Sequence, residues 1–193
     1  ISIFEIGCGH GAFIHSAKNA GYSNIKGVDN SEQQVSAAKK LGIEEVFYGD
    51  AFKYLSDEED ESFDVIVAID VVEHLTHEEL LNLTDTVYKK LKIKGKFILH
   101  TPNATSIFSG RMRYGDLTHQ LAFTGKSIGQ LSSVAGFSGV QCFEAGPFAH
   151  GFVSLMRKIL WQAVRCLLKL FMTIETGSSD DYFTENIIAV ATK

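Results

Sequence analysis

Cysteine is scarce in this chain. Its 193 residues include three, Cys8, Cys142 and Cys166, far apart and without metal-ligand spacing. An odd, scattered set argues against a disulfide framework and a cysteine-held metal, and reads as reduced thiols of a cytoplasmic protein. A basic excess is missing too: 18 Lys and Arg stand against 23 Asp and Glu, a net charge of −5. Such a chain exerts no overall pull on a phosphate backbone, which argues against nucleic acid as a partner. An uninterrupted apolar run of spanning length is also lacking. The nearest approach, about Gly151 to Thr173, contains Arg157, Lys158, Arg165 and Lys169, which excludes a transmembrane segment. There is no secretory leader, and Ile1 already lies within a strand pattern, so residues upstream of strand 1 are expected to be missing.

What is present is ordinary for a globule: 45% apolar and 21% charged residues, and a length that suits a single domain over 1–193. Ile3, Phe4 and Ile6 form a short buried strand pattern, and Gly7, Gly9 and Gly11 follow it. Ala12, Phe13, Ala17 and Ala20 continue at helical spacing until Gly21. Further strands are expected at Ile25–Asp29, Glu45–Asp50, Phe63–Ile69 and Lys96–Thr101, the third of these central. Helices are expected after Ser31 and after Thr76, each with a capping-box pattern, the second ending at Gly95. The run Asp57–Glu61 reads as a solvated loop, and 103–123 as a long loop of the kind that often carries function. Thr124 caps a helix to Ala135, a strand covers Gly139–Glu144, and the last strand covers Phe183–Thr192. Strand–helix alternation throughout predicts an α/β fold with a mainly parallel sheet.

A strand, a glycine turn and a helix N-terminus make a nucleotide-binding corner. Gly7-Cys-Gly-His-Gly-Ala12 fits the dinucleotide pattern G-x-G-x-x-A. Glu5, however, stands two residues before the first glycine, where a pyrophosphate would be repelled. With that acid in front, Glu5-x-Gly7-x-Gly9-x-Gly11 resembles the first motif of the class I S-adenosylmethionine (SAM)-dependent methyltransferases. Their cofactor carries a sulfonium and an ammonium, for which a carboxylate is attractive. Asp29, 18 residues after Gly11, can accept from both ribose hydroxyls, a feature SAM and NAD folds share. Asp50 in Gly49-Asp-Ala-Phe52 matches the acid that receives the adenine amino group, and Asp70 lies in Ala68-Ile-Asp-Val-Val-Glu-His-Leu75, which also resembles this family, particularly its small-molecule branch of quinone and sugar O-methyltransferases. The resemblance spans about Ile1 to Thr101; it departs at Lys92-Ile-Lys-Gly95, where the family usually has Pro-Gly-Gly.

The resemblance implies a Rossmann-like, doubly wound, seven-stranded mixed sheet with the last strand antiparallel. It implies SAM as cofactor, with S-adenosylhomocysteine (SAH) as product, held by Glu5, Gly7, Cys8, Gly9, Asp29, Asn30, Asp50, Ala51, Ile69 and Asp70. The Asn/Asp-Pro-Pro-Tyr turn of amino-directed DNA methyltransferases and the Pro-preceded nucleophilic Cys of the cytosine C5 enzymes are both absent. A small-molecule acceptor is therefore expected, most simply methylated at oxygen, with a sugar favoured and quinones and polyketide-like molecules open. A hydroxyl acceptor profits from a base near pH 7. His119, in the long loop, is the first candidate and His74 the second. His100 reads better as a sheet-end histidine, and positioning without a base is the alternative. Arg111 and Arg113 either hold an anionic acceptor or are solvated. No metal is read at the site, and Gly125-Lys-Ser127 is no phosphate loop, because no strand precedes it. The 151–173 helix reads as a core or homodimer-interface helix, or as a basic amphipathic helix resting on a membrane. An NAD-dependent oxidoreductase and a non-catalytic SAM-binding module are the rival functions.

Overall fold

The computed structural model describes residues 1–179 and 182–193. Its centre is a seven-stranded sheet ordered β3-β2-β1-β4-β5-β7-β6. The strands are β1 (Ile3–Ile6), β2 (Ile25–Asp29), β3 (Val46–Tyr48), β4 (Phe63–Ile69), β5 (Leu91–Pro102), β6 (Gly139–Glu144) and β7 (Asn186–Thr192). The first five pair in parallel, and β7 runs antiparallel between β5 and β6. β4 is indeed the middle strand. The helices are α1 (Ala12–Asn19), α2 (Glu32–Lys40), α3 (Ala51–Asp57), α4 (His77–Lys90), α5 (Ser109–Gly115), α6 (Gly125–Val134) and α7 (Phe152–Thr176).

Alternation along the strands sorts the core into two layers. Phe4, Ile6, Ile66 and Phe97 join Leu55, Leu83, Val87 and Ile128 from α3, α4 and α6 on one face. Ile3, Ile25 and Val67 join Ile14, Ala17, Val35 and Ala38 from α1 and α2 on the other. Local signals set the helix starts: Ser31 accepts from Gln34 N, and the Thr76–Glu79 capping box forms in full. Thr124 forms a second one with Ser127, so Gly125-Lys-Ser127 is the first turn of α6.

Several expectations need correction. β3 is shorter than its apolar run, because it pairs only with β2 and because Asp50 is taken up as the N-cap of α3. That helix was not foreseen. The acidic run is not a bare solvated loop: Glu58, Asp60 and Glu61 pair with Lys26, Lys90 and Lys193. Gly95 does not end α4, which stops at Lys90; β5 starts at once and is kinked, with a register shift against β4 and Lys94 at φ 67°. The 103–123 loop contains α5 and is closed by a bridge between Asn103 and Phe123. The largest departure is α7. Of the readings its sequence leaves open, a core helix is excluded, because only Ser154 of its 25 residues is buried; a dimer interface and a membrane-facing helix both remain compatible.

Candidate active site

The sheet order reverses at β1, between β2 and β4, and crevices at such a switch point take ligands. The strand ends feed it in turn. After β1 the chain must turn sharply, and Gly7 does so at φ 64°; a Cβ there would stand 2.6 Å from Val71 Cγ2. β2 ends on Asp29, β3 leads to Asp50, and Asp70 follows directly on β4, itself held in the left-handed region at φ 52°. The resulting cleft of about 730 Å³ is lined by Gly7, Asp29, Asn30, Asp50, Ala51, Phe52, Asp70 and His74, among others.

Asp29 also ties the floor together. Its Oδ2 accepts from Gly9 N at 2.7 Å and its Oδ1 from Ser31 N at 2.8 Å, joining the glycine turn to the start of α2. Asp50 Oδ1 accepts from Phe52 N and Lys53 N, so it caps α3 from the cleft rim. Glu5 lies below, 3% exposed, and its Oε2 is buried without a hydrogen-bond partner among the described residues. Burial, and secondarily the charge of Asp29, push its carboxyl up to about 8. Burial, then Glu5 and Asp29, push the Cys8 thiol up to about 12. Cys8 packs over Gly27 and, like Glu5, Gly9 and Ile69, is not part of the cleft wall.

Beyond Asp70, His74 lies on a single 3-10 turn, Val72–His74, and lines the cleft. His119 comes from the loop after α5, and its ring centre stands 4.7 Å from that of His74. Gln120 N and Leu121 N donate to the Glu73 carbonyl, and Gln120 Nε2 to the His74 carbonyl, so the loop is laced to the turn. Arg113 donates to the carbonyls of His119 and Gln120; its guanidinium braces this loop rather than reaching the cleft. Arg111 pairs with Glu185 at 3.4 Å, outside the cleft. His100 Nδ1 meets Asp70 Oδ1 at 2.7 Å, and that contact raises the imidazole against the opposing effect of its burial. Sequence reasoning missed Glu73, which is 1% exposed and raised chiefly by burial. Its place between Asp70 and His74 was visible; its approach to His119 depends on the loop.

A positively charged nucleoside fits these walls better than a dinucleotide does. The cleft lining contains Asp29, Asp50 and Asp70 and no Lys or Arg, and the unpartnered Glu5 carboxyl sits beneath the glycine turn. A pyrophosphate would face the three aspartates with no cationic side chain in the lining to offset them.

Comparison with known proteins agrees. A protein-family model described as "Methyltransferase domain" matches residues 4–99. Cyclopropane mycolic acid synthase 3 of Mycobacterium tuberculosis is 28% identical over 131 residues, covering 66% of this chain and 45% of that protein. The match thus spans less than half the length of that curated relative. Among solved structures, a SAM-dependent methyltransferase from Archaeoglobus fulgidus superposes with a TM-score of 0.74 at 22% identity, over 100% of this chain and 86% of the other. Phosphoethanolamine N-methyltransferase 2 of Haemonchus contortus, in complex with SAM, gives 0.66 at 18% identity, over 100% and 48%. The glycine turn, the acidic strand ends and the matching family model agree: residues 4–99 match a methyltransferase domain, on a fold that solved SAM-dependent methyltransferases share.

Proposed function

We propose that the chain methylates a hydroxyl group of a small-molecule acceptor, a sugar or another hydroxylated metabolite. SAM supplies a methyl group made electrophilic by its sulfonium. Glu5 faces the charged end from below, Gly7 gives it bare backbone with Cys8 and Gly9 continuing the turn behind the wall, Asp29 and Asn30 take the ribose, and Asp50 and Ala51 the adenine. Asp70 and Ile69 close the strand ends beside it. The observation that carries the acceptor reading is the histidine pair at the end of the cleft. Thr118 Oγ1 donates to Asp116 Oδ1 (2.6 Å), so toward His74 Nδ1, 2.9 Å away, it accepts. His119 Nδ1 faces the Met112 carbonyl at 2.8 Å, which can only accept. In its neutral form each ring therefore carries its hydrogen on Nδ1 and presents an Nε2 lone pair, the arrangement that handles a hydroxyl oxygen or its proton. The test is incubation with SAM and a panel of hydroxylated metabolites, amines and unsaturated lipids, following SAH. Turnover is expected with hydroxyl acceptors. Turnover confined to amines, or to lipids of the kind the mycobacterial relative's name points to, overturns the reading.

We further propose that α7 rests on a lipid surface. On the half of its wheel opposite Ser154, Phe152, Met156, Ile159, Leu160, Leu167, Leu170, Phe171 and Ile174 are all exposed. The helix is about 37 Å long, and no helix among the described residues is long and apolar enough to cross a membrane. It carries Arg157, Lys158, Arg165 and Lys169 against the single acid Glu175, in a chain of net charge −5, and of these Arg165 is paired with Glu144 of β6 at 3.3 Å. A cationic, one-sidedly apolar helix on an acidic protein complements an anionic bilayer. The protein should co-sediment with vesicles containing phosphatidylglycerol and only weakly with phosphatidylcholine alone. Leu167→Glu with Phe171→Glu should reduce binding about tenfold or more, each charge at the buried face costing over 1 kcal/mol. Unchanged sedimentation of the variant, or a wild-type homodimer that the two substitutions dissociate, overturns the proposal.

A further inference from the structure

Glu73, His74 and His119 each offer one ligand atom, and these atoms all lie within 4.8 Å of one another. The cluster is held on both sides. Glu73 and His74 share the 3-10 turn at the end of β4, and the hydrogen bonds from Gln120 and Leu121 clamp the His119 loop to that same turn. Arg113 secures the loop from behind.

Three features distinguish this cluster from a chance meeting. The Glu73 side chain is 1% exposed, and Thr101 Oγ1 at 3.2 Å is a single neutral donor for it. A carboxylate so placed is costly without a cation. Both histidines have Nδ1 occupied by a fixed oxygen, Thr118 Oγ1 for one and the Met112 carbonyl for the other. Metal-ligating histidines characteristically donate their second ring nitrogen in this way, which fixes the ring and leaves Nε2 to the ion. His74, finally, lines the cofactor cleft, so an ion held here borders the space where a methyl acceptor must stand.

We propose that Glu73, His74 and His119 hold a divalent first-row transition-metal ion whose remaining positions bind the acceptor's oxygen. Two imidazoles and one carboxylate suit Zn²⁺, Mn²⁺, Fe²⁺ or Co²⁺ better than Mg²⁺ or Ca²⁺, and three protein ligands leave open positions. This rests on the hydroxyl-acceptor reading and changes how the proton leaves. A metal-bound hydroxyl is more acidic, so its proton passes to solvent and no side chain need take it. The oxygen's electron pair then forms the new C–O bond while the C–S pair returns to sulfur; nothing is oxidised or reduced. His74 and His119, with Nε2 on the ion, are ligands and not bases.

The test is titration of chelator-treated protein with Co²⁺, Mn²⁺ and Zn²⁺, by calorimetry and, for Co²⁺, by visible absorption, with and without SAH. One ion per chain is expected. His119→Ala and Glu73→Gln should each weaken it about tenfold or more, with SAH affinity within about twofold of wild type as the check on folding. Less than one ion per chain, or a Co²⁺ spectrum unchanged by His119→Ala, overturns the proposal. These measurements need no acceptor. If the ion binds as described but no hydroxylated compound is methylated, the acceptor reading falls and the site stands. If a hydroxyl acceptor turns over equally well after chelation, the metal proposal falls and the acceptor reading stands.

Discussion

Asp29→Ala is expected to weaken SAH binding by about a hundredfold or more. The carboxylate acts twice in the free protein, accepting from Gly9 N and from Ser31 N, and so sets the glycine turn against the first residues of α2. It also lines the cleft, where the proposed function gives it the ribose. Each hydrogen bond to an ionised acceptor contributes about 1.5–3 kcal/mol, and about 1.4 kcal/mol is tenfold. Two lost ribose contacts therefore reach a hundredfold before any loosening of the turn is counted. Asp29→Asn separates the effects. An amide keeps one acceptor oxygen but places a donor beside either Gly9 N or Ser31 N, so its affinity should fall between wild type and the alanine variant. Calorimetry with SAH, with circular dichroism to verify folding, decides. Unchanged affinity in Asp29→Ala would remove the cofactor assignment from this strand end.

The place of Asp29 in the cleft lining shows which kind of placement is legible in a sequence. Strand ends can be read because apolar runs stop abruptly, and the polar residue that follows a parallel strand lands at the same edge of the sheet as its neighbours. Asp29, Asp50 and Asp70 were all found that way. Glu73 and His119 are different. They are 46 positions apart, and nothing local ties them. The contact exists because Gln120 and Leu121 donate to the Glu73 carbonyl, and main-chain pairing across a long loop leaves no trace in residue type. Arg113 illustrates the same limit: its sequence context leaves an anion site and a solvated side chain open, and the structure shows neither, since it donates to two carbonyls of the loop it belongs to. α7 fails in the opposite sense. Leu, Ile and Phe at helical spacing normally mean burial, yet none of the apolar residues on its outer half is covered. Apolar periodicity reports that a face needs a partner and does not say that the rest of the same chain supplies it.

Glu5→Gln should produce opposite effects on stability and on cofactor binding, and both should depend on pH. Glu5 is 3% exposed, its Oε2 has no partner, and its carboxyl is pushed from an ordinary 4.5 up to about 8, mainly by burial. Between those values the folded protein keeps a proton that the unfolded chain has released. Stability from this group is thus complete below pH 4.5 and is lost as pH rises through 8. The loss is at most roughly 5 kcal/mol at about 1.4 kcal/mol per pH unit. Glutamine keeps the shape and cannot ionise. The variant should melt close to wild type at pH 5 and above it at pH 8, by on the order of 10 °C at roughly 2–4 °C per kcal/mol. Binding should move the other way. A sulfonium and an ammonium favour the ionised carboxylate, so wild-type affinity for SAM should rise between about pH 6 and 7.5, by up to thirtyfold, with a proton released on binding. Glu5→Gln should bind more weakly and show no such rise. Calorimetry in two buffers of different ionisation enthalpy measures the proton directly. If wild-type affinity is flat over that range and no proton is released, the Glu5 carboxyl does not serve the cofactor's positive end, and its burial is a cost of the fold without return at the site.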